Sequence, residues 1–123
     1  MLLTVRNQPQ FALIGEGVYQ ARLESIKPVL TVNGDAYRLT FTITEDGSYR
    51  DRRVNGMCGS WLHPESKLYK WLSAIKGMEL APDEEVDLDQ LIGRTCMISV
   101  TRKERDGRIY ANVEDVTSDD EPF

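Results

Sequence analysis

The sequence predicts a mainly β domain of five strands, with one principal helix between the third and the fourth. Three observations carry this. Apolar and polar residues alternate strictly in four separate segments, a helical period replaces the alternation over residues 63–77, and the dipeptides Asn33-Gly34, Asp46-Gly47 and Asp106-Gly107 supply turn signals beside the alternating stretches. The chain has 123 residues, 41% hydrophobic and 28% charged, one domain of ordinary globular composition. A chain of this size buries about two thirds of its unfolded surface, enough for one core.

Residues 1–16 show no period and read as an N-terminal arm ahead of a domain over 17–116 and a tail over 117–123. In the first strand, 17–26, Tyr19, Ala21 and Leu23 alternate with Gln20, Arg22 and Glu24. Asn33-Gly34 follows as a turn in which both positions tolerate positive φ. The cleanest alternation is the second strand, 37–44: Tyr37, Leu39, Phe41 and Ile43 on one face, Arg38, Thr40, Thr42 and Thr44 on the other. A third, strongly basic strand is expected over 49–57.

The helix over 63–77 places Leu68, Trp71, Leu72 and Ile75 on one stripe, with Pro64 and Glu65 in its first turn, Lys76 in its last, and Gly77 as a left-handed terminator. The acidic stretch 79–85 reads as a loop. A single helical turn over 87–93 is capped by Asp87 and turns Leu88, Leu91 and Ile92 inward. In the fourth strand, 95–102, Cys96, Ile98 and Val100 share the apolar face; Asp106-Gly107 then leads into the fifth, 108–116. Five strands with a helix between the third and fourth predict an OB-fold, a five-stranded Greek-key barrel, over a small sandwich or another five-stranded barrel.

The charges are segregated. The net charge is −5, but residues 1–78 hold ten Lys/Arg against seven Asp/Glu, and residues 90–113 hold five against two. The acids concentrate in 79–89 and 114–123, where no base occurs. A polyanion responds to local patches rather than to net charge. The densest basic clusters are Arg50, Arg52 and Arg53 on the third strand, and Arg102, Lys103, Arg105 and Arg108 around the last hairpin. An OB-fold binds oligonucleotides on strands two and three, flanked by the 1–2 and 4–5 loops, so both clusters fall where such a fold would use them, and the outward Arg38 joins them. Tyr49, Trp61 and Tyr110 are candidate platforms for stacked bases, whereas Tyr37, Phe41 and Trp71 share faces with aliphatics and are expected in the core. Basic residues also blunt strand edges in β proteins that bind nothing.

The body of the chain, from Gly17-Val18-Tyr19 through the run Asp87-Leu88-Asp89-Gln90-Leu91-Ile92-Gly93-Arg94-Thr95-Cys96 to Val113, resembles the small OB-fold proteins of bacteriophage replication modules that are thought to bind single-stranded DNA. The last residues, Ser118-Asp119-Asp120-Glu121-Pro122-Phe123, resemble the acidic tip of bacterial single-stranded-DNA-binding proteins, without the long Gly/Gln/Pro-rich linker of that family. The resemblance implies a protein of DNA replication, recombination or repair that coats unpaired strands. It implies recruitment of other replication or recombination proteins through Asp119, Asp120, Glu121, Pro122 and Phe123. An OB-fold protein–protein interaction module that binds no nucleic acid is the alternative, and a homodimer through sheet edges or the arm is compatible with the sequence.

Enzyme signals are weak. His63 is the only histidine and sits beside Pro64; Cys58 and His63 alone do not make a four-ligand zinc site; Gly15-Glu16-Gly17 precedes a strand rather than a helix. No catalytic residue, metal or cofactor is expected. No apolar run approaches the ~20 residues of a membrane helix. The start lacks a signal-peptide pattern, and two cysteines are too few for a disulfide framework, so the expected compartment is a reducing cytoplasm, that of the host if the chain is phage-encoded.

Overall fold

The computed structural model describes residues 13–118. It holds strands β1 (Gly17–Thr31), β2 (Gly34–Ile43) and β3 (Arg53–Gly59), helix α1 (Lys67–Lys76), a 3-10 turn at Leu88–Gln90, and strands β4 (Thr95–Arg105) and β5 (Arg108–Thr117). The five strands form one antiparallel sheet in the order β3-β2-β1-β4-β5. Its outermost strands, β3 and β5, run in the same direction and pack beside each other, but no ladder joins them among the described residues.

Strand β1 is central because it serves two partners. Its first part pairs with β4 from Gly17↔Val100 to Arg22↔Thr95, and its second part pairs with β2 out to Thr31↔Gly34. The register slips between Leu23 and Ser25, leaving Glu24 as the extra residue of a β-bulge. A second bulge between Ser99 and Val100 on β4 leaves Glu114 as the extra residue on β5.

The inner face is a continuous core of Ala21, Leu23, Leu39, Phe41, Ile43, Val54, Cys58, Cys96, Ile98, Val100 and Val113. Helix α1 closes it with Leu68, Trp71, Leu72 and Ile75, and Trp71 meets Phe41 edge-on at 6.3 Å. The Trp71 ring lies against Gly56: a Cβ there would sit 2.6 Å from the ring and 2.9 Å from the Val113 Cβ, so only glycine fits between β3, β5 and the helix. Ile14, within the expected arm, is also buried in the core.

Several boundaries differ from the expectations. Residues 49–52 turn rather than extend: Arg50 and Arg52 donate their backbone N–H groups to Gly47 and Tyr49, and Asp51 has φ +67°. Only Tyr49 offers that stretch an apolar group to bury. The helix starts at Lys67 because Ser66 caps it, accepting the Tyr69 N–H at 3.1 Å, so Pro64 and Glu65 precede the helix. Gly77 ends it at φ +89° as expected. Asp87 caps the short turn, and Leu91 is buried, but Ile92 is exposed. Asp106 and Gly107 both take positive φ, whereas in the β1–β2 hairpin only Gly34 does; Asn33 does not. Among the described residues, no helix is long and apolar enough to cross a membrane.

Candidate nucleic-acid interface

The outer face of β1, β2 and β3 is organised by register into three cross-strand rows. Arg22, Thr42 and Arg53 form the first, Ser25, Thr40 and Asn55 the second, and Lys27, Arg38 and Met57 the third. Two rows carrying two cations each therefore flank an uncharged polar row, in which Thr40 Oγ1 donates to Asn55 Oδ1 at 2.8 Å. Four residues along β2 separate Thr42 from Arg38, about 13 Å at the strand repeat. All four cations are exposed, and Lys27, Arg38 and Arg53 make no ion pair among the described residues. Arg22 donates to the bulged Glu24 at 2.6 Å, which holds that carboxyl below the ordinary glutamate range.

The bulge sets this pattern. Before it, even-numbered residues of β1 face outward; after it, Ser25 pairs with Thr40 and Lys27 with Arg38, so odd-numbered residues do. Lys27 would lie on the inner face without it.

Of the residues singled out from sequence, Arg38 and Arg53 fall on this face. Arg52 is half-buried at the entry to β3, and Arg50 stays in the preceding loop, where its guanidinium pairs with Asp46. Tyr49 is not an outward platform. It packs edge-on against Tyr19 with ring centroids 5.8 Å apart, and the Tyr19 hydroxyl donates to Gly15 O at 2.6 Å. Trp61 is 63% exposed in the loop after β3, stacked on His63 at 4.3 Å. Its neighbour Ser60 donates its N–H to Asp35 O, which places Trp61 at the β1–β2 hairpin end of the sheet.

The second basic cluster is partly committed elsewhere. The Arg102 guanidinium donates to the carbonyls of Ile14 and Leu13 at 3.4 and 3.5 Å, and the Arg102 backbone N–H donates to Glu16 Oε2 at 3.0 Å, so the residue fastens the arm. Lys103 pairs with the bulged Glu114 at 3.0 Å, and that contact holds Glu114 below the ordinary glutamate range. Arg105 and Arg108 face each other at the hairpin end, exposed and without an ion pair among the described residues. Tyr110 is opposite Lys103 and exposed. Because β3 and β5 run the same way with Gly56 beside Val113, the Arg53 end of β3 and the Tyr110 end of β5 lie at one end of the sheet.

Arg22 and Lys27 complete the face but were not among the expected residues. Arg22 was legible as an outward residue of an alternating strand; Lys27 was hidden by the bulge. Asp119, Asp120, Glu121, Pro122 and Phe123 lie outside the described residues.

The groups with chemical potential are quiet. Burial pushes the Cys58 thiol up to about 12, so it stays protonated near neutrality. His63 Nδ1 accepts the Glu65 N–H at 3.2 Å. Among the described residues, no three His, Cys, Asp or Glu side chains gather as metal ligands would. No protein-family model and no curated protein matches the chain.

Proposed function

We propose that this chain is a single-stranded-DNA-binding protein of phage-type DNA replication, recombination or repair, built on an OB-fold. It coats unpaired strands without strong sequence preference and recruits partners through its acidic Pro-Phe terminus. The observation that carries the reading is the pair of cation rows, Arg22/Arg53 and Lys27/Arg38, on the outer face of β1–β2–β3.

The fold reading is supported by the strand order, by a long bulged β1 shared between both halves of the sheet, by β3 and β5 packing side by side, and by a helix between β3 and β4 that fills the gap they leave. These features are in keeping with a five-stranded, partly open barrel. The rows cross its strands two and three and continue onto strand one, which carries Arg22 and Lys27.

Cations in two rows hold phosphates, and the uncharged row between them, with Met57 and the exposed Trp61 nearby, meets bases. Only an unpaired strand presents bases and phosphates together in this way. Phosphate contacts carry no sequence information, which makes coating non-specific.

Fluorescence anisotropy of labelled oligo-dT of about 30 nucleotides tests the reading, with a duplex of equal length as control. Four phosphate contacts on a single strand give a salt slope of about −2.8, so a fourfold rise in salt weakens binding roughly fifty-fold. Absence of binding, or binding indifferent to salt, would remove the proposal.

A further inference from the structure

The β1–β2 hairpin runs past the rest of the sheet. Strand β3 pairs with β2 only as far as Ala36↔Gly59, followed by the Ser60–Asp35 hydrogen bond, and the hairpin continues through Leu30 to a two-residue tip at Val32 and Asn33. One of the two tip residues is apolar beside the polar Asn33: Val32 is 100% exposed, and Leu30, two residues behind it, is 83% exposed. Isolated exposed aliphatics are ordinary on any surface. Here two of them lie on the part of the hairpin that extends beyond its pairing with β3, with Trp61 and Leu62 also exposed at the same end.

The surroundings say what chemistry they meet. Lys27 and Arg38 are cross-strand neighbours on the outer face, four residues back from the Thr31↔Gly34 pair, and the acid nearest the tip, Asp35, is directly opposite Leu30 on the other face. An apolar point with cations behind it on one face fits a ligand that is anionic on that side and apolar between its layers. A base-pair step has that character, with phosphates flanking stacked rings, and apolar side chains do insert between such steps. The two faces of the hairpin differ in charge, with Lys27 and Arg38 on the outer one and Asp35 on the other. The outer face continues into the cation rows proposed to hold a single strand, and a shallow cavity of ≈ 430 Å³ at the hairpin is lined by residues of both faces, Val29 and Ala36 as well as Leu30, Asp35 and Tyr37.

We infer that the hairpin tip is a wedge that seats the protein at a junction between single-stranded and double-stranded nucleic acid. Val32 and Leu30 abut or part the first base pair while one strand passes onto the Lys27/Arg38 row. This rests on the single-strand reading and sharpens it: the preferred ligand is a strand with a duplex beginning at one end.

The test uses the full chain and two anisotropy probes with identical dT tails, one plain and one extending from a stable hairpin duplex, in both 5′ and 3′ forms. A 2-aminopurine at the first base pair reports opening. The expected result is about three- to tenfold tighter binding to one tailed duplex than to the plain tail, with a rise in 2-aminopurine fluorescence. The Leu30→Ser/Val32→Ser variant, changed only at exposed positions, should keep its melting temperature and its oligo-dT affinity while losing both effects.

Equal affinity for plain and tailed probes overturns the wedge and leaves the single-strand reading standing. Failure to bind either probe removes both. Persistence of the preference in the double variant also overturns it. So does binding to phosphatidylserine vesicles, or self-association by light scattering, that the double variant abolishes, since either would assign the tip to a lipid surface or to a second copy.

Discussion

The outer face of β1–β2–β3 and the β4–β5 hairpin are both rich in Arg and Lys, yet their cations are in different states. On the sheet face, Lys27, Arg38 and Arg53 have no ion-pair partner among the described residues, and Arg22 pairs with Glu24, whose carboxylate also feels the charge of Arg53. On the hairpin, Arg102 is spent on the arm's carbonyls and Lys103 on Glu114, leaving Arg105 and Arg108 at the tip. Local basic density is therefore a poor guide to an anion site. What counts is how many cations share a face and how many have other work.

Each region also carries one bulge, and in both the extra residue is a glutamate turned to a cation: Glu24 to Arg22 and Glu114 to Lys103. An acid set into a basic surface moderates it. The sheet face keeps three unpaired cations beside its glutamate, whereas the hairpin's outward surface has Lys103 taken by its own.

The largest expected effect comes from the seam where the two regions meet. Trp71 lies between β3 and β5, fully buried against Gly56 and Phe41. Trp71→Ala should cost about 3–5 kcal/mol, read by urea denaturation. Gly56→Ala should cost about 1–3 kcal/mol by overpacking the same spot from the other side. A neutral Gly56→Ala would mean that helix and strands are not seated together as described.

Arg102→Ala should act on stability first. Losing its hydrogen bonds to the arm should lower stability by about 1 kcal/mol, with faster proteolysis of the arm, while the oligo-dT salt slope stays close to that of the wild type. Loss of binding with unchanged stability would place Arg102 with the sheet-face cations instead. Lys103→Ala should change stability by no more than about 0.5 kcal/mol, because its ion pair with Glu114 is exposed.

Glu24→Gln should have a small effect of the opposite sign, raising oligo-dT affinity about two- to fivefold by releasing Arg22. The same release should occur in acid. Arg22 lowers the Glu24 pKa on folding, so that contact stabilises the fold above the ordinary value of 4.5 and is lost as pH falls through the folded value. Glu84, held down by Lys76, and Glu114, held down by Lys103, follow the same sign. The melting temperature should therefore drop below about pH 4.5. The wild-type and Glu24→Gln affinities should converge there, and a constant ratio across that range would dissociate Glu24 from the site.

Much of the fold was legible because alternation and turn chemistry are local. The Tyr37–Ile43 alternation, the Leu68-Trp71-Leu72-Ile75 stripe with Gly77, and Asp106-Gly107 each specify their element with residues that touch one another. The misread places depend on something distant or displaced. Residues 49–52 look extended in isolation, but they fold back so that the Asp51 N–H reaches Ile43 O. Tyr49 looks like a platform until Tyr19, thirty residues earlier, meets its ring.

Half of the site was visible for the same reason. Arg38 and Arg53 sit on strands whose alternation is unbroken to the rows they occupy. Lys27 lies beyond a one-residue bulge that reverses the strand's faces, and no local pattern marks Glu24 as the extra residue. The commitments of Arg102 and Lys103 are invisible from sequence because their partners lie at Ile14 and Glu114, brought near only by the sheet.

The most direct test of the central claim is the salt dependence of oligo-dT binding for the wild type and for Arg38→Ala/Arg53→Ala, measured side by side. The wild type should give a slope of about −2.8 and the variant about −1.4, since two of four phosphate contacts are removed, with melting temperatures nearly equal. The same slope for both proteins would contradict the assignment of this face to nucleic acid, and so would a slope near zero for the wild type.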